Sequence, residues 1–235
     1  MINFQNVFVS YTKEFDALHD LSLKIEKGEK VAIVGDSDSG KTTLLRTIAN
    51  LQPITKGELT IKDTVISKVN FKQDVSLGYI PKVPVFKNKK TVGDNLMYVL
   101  KIRGYEQASM TFKVLSALKN FGIESLKNVP VESLTFTQKM LVQLARVSMR
   151  NVEIILIDNI TKGLVKDDQN TLIKAIKLLM ELNPDATMVF ATDSEKIAKE
   201  LNLKVIKLKR GEIEVEKKSK PAQQIVKNEA QADKQ

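Results

Sequence analysis

The sequence predicts an α/β domain, and three observations carry that prediction. Short stretches with the two-residue alternation of strands are interspersed with stretches of helical period along most of the chain. The segment 30–34, Lys-Val-Ala-Ile-Val, reads as a buried strand, and it enters a glycine-bounded loop that opens into a helix. Residues 91–150 are helical in pattern, which places a helical insert in the middle of a strand-and-helix core. A chain of 235 residues is long enough for one large α/β domain, or for a core carrying a smaller subdomain.

Taken in order, residues 2–10 alternate apolar side chains, and Leu21, Leu23 and Ile25 alternate again before a Lys27-Gly28-Glu29 turn. Strand 30–34 is followed by the loop and by a helix over about 41–50. A turn at Lys56-Gly57 leads into an alternating strand at 58–62, and 77–80 is a further short strand. In the helical middle, Leu96, Val99, Leu100 and Ile102 are expected on one face, as are Val114, Leu115, Leu118 and Phe121. Strand 153–158, an amphipathic helix over 169–182 and strand 187–191 follow. Residues 204–208 and 212–215 flank Lys209-Arg210-Gly211 as a hairpin. From about 217 the chain is rich in Lys, Gln and Ala and poor in apolar residues, so a disordered basic tail is expected at 217–235. Such a tail serves as a solubilising extension or as a weak attraction to anionic lipid or an acidic partner.

Composition excludes several classes. Apolar runs such as 154–157 fall far short of the roughly 20 residues that a membrane-spanning helix needs. The first residues, Met-Ile-Asn-Phe-Gln, lack the basic and apolar regions of a signal peptide, so none is expected. With no cysteine there is neither a disulfide framework nor a thiolate metal site, in keeping with a cytosolic protein. The net charge of +9 invites a nucleic-acid reading. Yet only five of the basic residues are Arg (Arg46, Arg103, Arg146, Arg150 and Arg210), the type preferred for forked recognition of bases and phosphates. The rest are scattered Lys, and no nucleic-acid partner is expected.

The glycine-bounded loop carries the chemistry. Gly35, Asp36, Ser37, Asp38, Ser39, Gly40, Lys41 and Thr42 satisfy G-x-x-x-x-G-K-[ST], and Thr43 follows. A chance glycine turn is the alternative, and the strand before it and the helix after it argue for a phosphate loop. In such a loop the glycines let backbone N–H groups curl around phosphates at the positive end of a helix. Lys41 then reaches the β- and γ-phosphates of a nucleoside triphosphate, and the Thr42 hydroxyl ligates Mg²⁺. Asp38 is the unfavourable feature, because it brings a carboxylate to a loop that approaches polyphosphate.

Beyond this loop, landmarks accumulate over residues 1–216. They are Tyr11; Ala17-Leu18-His19-Asp20-Leu21-Ser22-Leu23 with Lys27-Gly28-Glu29; Gly78-Tyr79-Ile80-Pro81; Thr91-Val92-Gly93-Asp94-Asn95-Leu96; and Leu134-Thr135-Phe136-Thr137-Gln138 with Leu144-Ala145-Arg146. Leu156-Ile157-Asp158 ends an apolar strand, Thr161, Gly163 and Leu164 follow, and Ala191-Thr192 ends another strand. In this order and spacing the chain resembles the nucleotide-binding subunits of the ATP-binding cassette (ABC) family, nearest to small stand-alone subunits of the lipoprotein-export and cell-division type. The resemblance implies a P-loop NTPase core with an N-terminal antiparallel β subdomain and an α-helical subdomain insert at about 91–150. It implies ATP and Mg²⁺ as cofactors, with Asp158 joining Thr42 in the metal shell. A permease-like membrane subunit and a second cassette subunit, alike or different, are the implied partners, and they would hold the chain at the inner face of the membrane. Two readings stand for Tyr11: an aromatic that stacks on adenine, as the family has there, or a core tyrosine at a strand end.

The departures from the family fall on its functional positions. Asn159 stands where the family has a glutamate that polarises the attacking water, and an amide cannot accept that proton. Asp193 replaces the switch histidine; the chain's one histidine, His19, lies in the N-terminal segment, so no nearby stand-in is expected. Lys82 replaces the glutamine that links nucleotide to permease, and Val165 replaces an aspartate. Thr135, Phe136, Thr137 and Gln138 occupy the signature, with Phe136 and Thr137 in place of two glycines. A phenyl ring there obstructs the approach of backbone to a γ-phosphate, unless Phe136 is simply a core residue of the insert. Because these subunits dimerise head to tail by resemblance, Asn159 and Asp193 would impair this chain's own site, and Phe136 and Thr137 the partner's. The expectation is a subunit that binds Mg-ATP and hydrolyses it slowly or not at all. The alternative is an active ATPase that energises transport through a separate permease.

Overall fold

The structure, a computed structural model, describes residues 1–12, 15–71 and 73–214. The expected tail at 217–235 and the last residue of the expected hairpin, Val215, lie outside the described residues. In chain order the elements are β1 (Ile2–Thr12), β2 (Phe15–Ile25), β3 (Lys30–Val34), α1 (Lys41–Ile48), β4 (Lys56–Ile61), β5 (Thr64–Val65), β6 (Leu77–Ile80), α2 (Val92–Lys101), α3 (Gln107–Asn120), α4 (Phe136–Ser148), β7 (Ile154–Asp158), α5 (Lys166–Leu182), β8 (Thr187–Thr192), α6 (Glu195–Glu200), β9 (Lys204–Lys209) and β10 (Glu212–Ile213).

Two sheets result. An antiparallel sheet runs β2-β1-β4-β5, with Ile2 opposite Ile25 on one side and Ile61 on the other. The second sheet runs β10-β9-β3-β8-β7-β6 and is parallel from β9 to β6, closed at one edge by the β9–β10 hairpin. This is the expected architecture, a parallel core with an antiparallel N-terminal sheet and a helical insert.

The central strands β3, β7 and β8 are buried almost throughout, and that is why they read as apolar runs rather than alternating ones. Their side chains nonetheless alternate between two cores with the two-residue period of a strand. Ala32, Ile155, Ile157, Met188 and Phe190 join α2 to α5 in one core. Val31, Ile33, Ile154, Leu156, Val189 and Ala191 join α1 and the antiparallel sheet in the other. Each fully buried Ile, Leu, Val or Phe contributes about 1.5–3 kcal/mol.

Three of the helices begin at side-chain caps. Thr91 and Asp94 form a capping box at α2, Thr135 and Gln138 another at α4, and Ser194 caps α6 by accepting from the Ile197 N–H. Several expectations are corrected. Ile102 is 64% exposed, because α2 ends at Lys101 and the chain leaves the apolar face there. Leu115 is 45% exposed, because the buried stripe of α3 runs through Met110, Val114, Ala117 and Leu118, and Leu115 sits beside it. Strand β4 starts at Lys56, whose backbone pairs with Phe8, so Lys56-Gly57 belongs to the strand and not to a turn. Helix α5 starts at Lys166, because Asp167 and Asp168 suit the positive end of a helix.

Candidate functional site

The phosphate loop sits at the carboxyl end of β3 and is held by its neighbours. The Gly35 N–H donates to the Thr192 carbonyl at 3.3 Å, and the Gly211 N–H donates to the Ser39 carbonyl at 3.0 Å. Two of its residues must be glycine. A Cβ on Gly35 would lie 2.1 Å from the Leu208 carbonyl oxygen, and one on Gly40, at φ 101°, would lie 2.5 Å from the Ala17 carbonyl oxygen. Helix α1 starts immediately afterwards with no side-chain cap, so its first N–H groups and its positive end face the loop's concavity. The Lys41 ammonium, 6% exposed, donates to the carbonyls of Gly35 (2.7 Å) and Asp36 (2.5 Å) and to Ser39 Oγ (3.0 Å). Burial pulls its pKa below the ordinary lysine value, against the opposing charges of Asp193, Asp158 and Asp36. Asp38 borders the resulting cleft at φ 63°, a left-handed conformation that aspartate tolerates better than most residues.

The cleft, of about 270 Å³, is lined by residues 37–43 together with Tyr11, Ala17, Lys82, Asn159 and Lys162. Tyr11 is 49% exposed at its rim, which is not a core position, and its hydroxyl lies 3.1 Å from Thr43 Oγ1. At the floor the Thr42 hydroxyl donates to Asp158 Oδ1 at 3.0 Å. Asp158 ends β7, 1% exposed, and burial raises its pKa; hydrogen bonds from Thr42 and Tyr79, and the charges of Arg46 and Lys82, oppose that rise. Tyr79 donates to Asp158 Oδ2 at 3.4 Å, and burial beside that carboxylate pushes its own pKa up to about 12, so it stays a donor. A hydroxyl and a carboxylate form a hard oxygen donor pair that fits Mg²⁺. Among the described residues no cluster of three His, Cys, Asp or Glu could hold a metal unaided. An ion on the Thr42–Asp158 pair would take the rest of its shell from phosphate oxygens and water.

Lys82 and Asn159 line the same cleft, and Asp193 is tied to it through Lys162. Asn159 follows Asp158 in a left-handed conformation at φ 49°, its N–H donating to the Ala191 carbonyl at 2.9 Å. It is 8% exposed, and its Oδ1 accepts no hydrogen bond among the described residues. Asp193 follows β8, and its carboxylate pairs with the Lys162 ammonium at 3.3 Å. Lys162 also donates to Ser37 Oγ at 2.6 Å. A lysine from the turn after β7 thus brings a cation beside Asp193. His19 does not. It pairs with Glu212 at 3.0 Å and stacks edge-on with Phe8, away from the cleft lining.

The signature residues lie elsewhere. Thr135 and Gln138 spend their side chains on the capping box of α4, and Thr137 is buried. Phe136, the first residue of the helix, is 39% exposed, so it is not a core residue of the insert. None of the four lines the cleft. One link that sequence reading missed joins α4 to the segment bearing Lys82. The partly buried guanidinium of Arg146, its pKa lowered to about 10 by burial, donates to the Val85 carbonyl at 3.2 Å and lies 5.2 Å over the Phe86 ring.

Comparison with known proteins agrees with this site. A family model described as ABC transporter matches residues 18–162. The methionine import ATP-binding protein MetN of Clostridioides difficile is 33% identical over 91% of this chain and 67% of its own length. MetN 3 of Oceanobacillus iheyensis is 33% identical over 79% of this chain and 55% of its own length. The chain thus spans about two thirds and about half of those relatives. Among solved structures, the ATP-binding cassette MJ0796, a dimer in a post-hydrolysis state bound to ADP and Pi, superposes with a TM-score of 0.81 at 27% identity. It covers 92% of this chain and 97% of that one. The fold is shared as well by cbiO1 of Clostridium perfringens, with a TM-score of 0.77 at 22% identity over 91% of this chain and 86% of that one. With a phosphate loop, a metal-type donor pair and these likenesses in one molecule, the chain belongs to the ABC transporter family, as one of its ATP-binding domains.

Proposed function

We propose that this chain is the ATP-binding subunit of a membrane transport complex, and that it holds Mg-ATP while hydrolysing it slowly. The observation behind slow turnover is Asn159, a buried amide directly after Asp158 at the edge of the cleft. An amide accepts no proton at neutral pH, and general-base assistance is worth about 10²–10⁴-fold. The rest of the machinery suits retention of the ligand. The N–H groups at the start of α1 and the Lys41 ammonium bind triphosphate oxygens, Thr42 and Asp158 hold the metal's shell, and Tyr11 offers a ring at the rim for the base. Bound Mg²⁺ supplies charge neutralisation between the β- and γ-phosphates. The ammonium of Lys82 cannot accept a hydrogen bond from an attacking water. Phe136 projects from the start of α4, where a second cassette would need close backbone approach.

The partners in this proposal are a permease-like membrane subunit and a second cassette subunit. The dimeric state of MJ0796 and the place of cbiO1 in the cbiONQ transporter complex support both. Such partners would hold the chain at the inner face of the cell membrane; among the described residues no helix is long and apolar enough to cross one. Residues 1–216 form the nucleotide-binding domain in this reading, with its helical insert at about 91–150. The small stand-alone type of lipoprotein export and cell division is one subtype it fits. The MetN relatives, named for methionine import, support import as the competing subtype.

A second reading, an active ATPase that energises transport, is favoured by the 33% identity to MetN and by the Lys162 cation at the switch position. Phosphate release at saturating Mg-ATP, by the full chain alone and with its membrane partner, separates the two. Slow release that rises in Asn159→Glu supports the proposal. Release at the rate of an ordinary transport ATPase, with no gain in Asn159→Glu, establishes the second reading instead.

A further inference from the structure

Two cations outside the phosphate-loop motif line the cleft, Lys82 and Lys162, and Lys162 is hydrogen-bonded to the phosphate loop itself. It lies in the turn after β7, its N–H directed to the Asn159 carbonyl at 3.5 Å, with Gly163 at φ 73° reversing the chain behind it. From there its stem crosses back to the phosphate loop. The ammonium donates to Ser37 Oγ at 2.6 Å, pairs with Asp193 at 3.3 Å, and borders the same cleft as Lys41, Thr42 and Asn159. Both members of the pair are about one-third exposed, and an ion pair of that kind contributes little to stability. Its position has a consequence for a ligand instead.

We propose that Lys162 contacts the terminal phosphate of a bound nucleoside triphosphate and thereby makes the site prefer triphosphate to diphosphate. The proposal rests on the ATP-binding reading above. The Ser37 hydroxyl is a neutral acceptor and Asp193 a partly solvated one. A terminal phosphate oxygen entering beside them offers the ammonium a charge-assisted hydrogen bond stronger than the one to Ser37. Lysine suits this exchange, being a compact charge on a flexible four-carbon stem that can leave one acceptor for another without moving backbone. The β-phosphate is held deeper, by Lys41 and the start of α1, so a diphosphate gains less from Lys162. In this arrangement Asp193 is a holding counter-ion. Its negative charge, which alone would repel the ligand, is neutralised by the lysine it aims across the loop.

The test is equilibrium binding of fluorescent ATP and ADP analogues to the full chain at fixed Mg²⁺, for wild type, Lys162→Met, Lys162→Arg and Lys41→Ala. The expected result is that Lys162→Met weakens ATP about tenfold and ADP less than about twofold, with the melting temperature unchanged. Lys162→Arg keeps the preference for ATP. Three results overturn the proposal alone, provided that wild type binds ATP and Lys41→Ala weakens that binding about 10–100-fold. They are a preference for ATP that persists in Lys162→Met, an equal loss of both nucleotides in that variant, or a wild type that holds ATP and ADP equally. A wild type that binds neither nucleotide overturns both this proposal and the reading beneath it.

Discussion

The two sides of the cleft are built on different principles. On the phosphate-loop side, residues 35–43 bind through backbone, and the backbone shape is enforced by contacts closer than any side chain could survive, as at Gly35 and Gly40. The remaining groups are single side chains from strand ends and a turn: Asn159 and Lys162 line the cleft, Asp158 is hydrogen-bonded to Thr42, and Asp193 pairs with Lys162. The first side satisfies the G-x-x-x-x-G-K-[ST] pattern with contiguous residues, and the second depends on single positions such as Asn159 and Lys162. The difference teaches why gripping and cutting can separate in one fold. A grip made of main chain is tied to the packing of the whole domain, whereas a proton acceptor is one side-chain group that can be exchanged without disturbing the strand that carries it.

That contrast can be broken or sharpened by substitution. The largest effect is expected at Gly40→Ala, which puts a Cβ against the Ala17 carbonyl oxygen at a left-handed φ. Strain and overpacking together cost about 2–5 kcal/mol, read as a fall in the denaturant midpoint. A change well under 1 kcal/mol would mean that the loop is not locked as described. Asn159→Glu comes next. It restores a carboxylate at the edge of the cleft and raises phosphate release about a hundredfold, the low end of what a general base supplies, because Asp193 and the signature substitutions remain. Little change in stability is expected, which is the contrast in its sharpest form. Lys41→Ala removes a charge-assisted contact worth about 1.5–3 kcal/mol, so ATP affinity falls about 10–100-fold by calorimetry. The smallest effect belongs to Asp38→Gly. It removes a solvent-facing carboxylate and a left-handed non-glycine residue, and ATP affinity rises about fivefold, consistent with roughly 1 kcal/mol for an exposed charge interaction. Were Asp38→Gly to weaken binding instead, the carboxylate would be a participant and not an obstacle.

Much of this was legible in the sequence, for reasons that differ by element. Strands β3, β7 and β8 were readable because a strand buried on both faces is apolar over its length, and the phosphate loop because its glycines, Lys41 and Thr42 are contiguous. Strand β5 and helix α6, two and six residues long, are too short to show a period. Ile102 and Leu115 misled because an apolar residue at a helix end or beside the buried stripe carries no mark of its exposure. At the site, Asp158 and Asn159 were placed by the apolar strand before them. Lys162 was not, because nothing in Thr161-Lys162-Gly163 tells that its ammonium meets Ser37, 125 positions away, and Asp193. The available signal was Asp193 itself, a carboxylate that calls for a search for a partner cation elsewhere in the chain.

The central band of β3, β7 and β8 supplies side chains to both cores at once, Ile155 to one and Ile154 to the other. Neither layer can melt while its neighbour stays intact, because dissolving one strips half the packing from strands that the other needs. Denaturation is therefore expected as one cooperative transition, with the slowest amide hydrogen exchange in these strands. A ligand seated at the end of β3 then stabilises the entire domain, by a free energy set by its concentration relative to its dissociation constant, and raises its melting point accordingly.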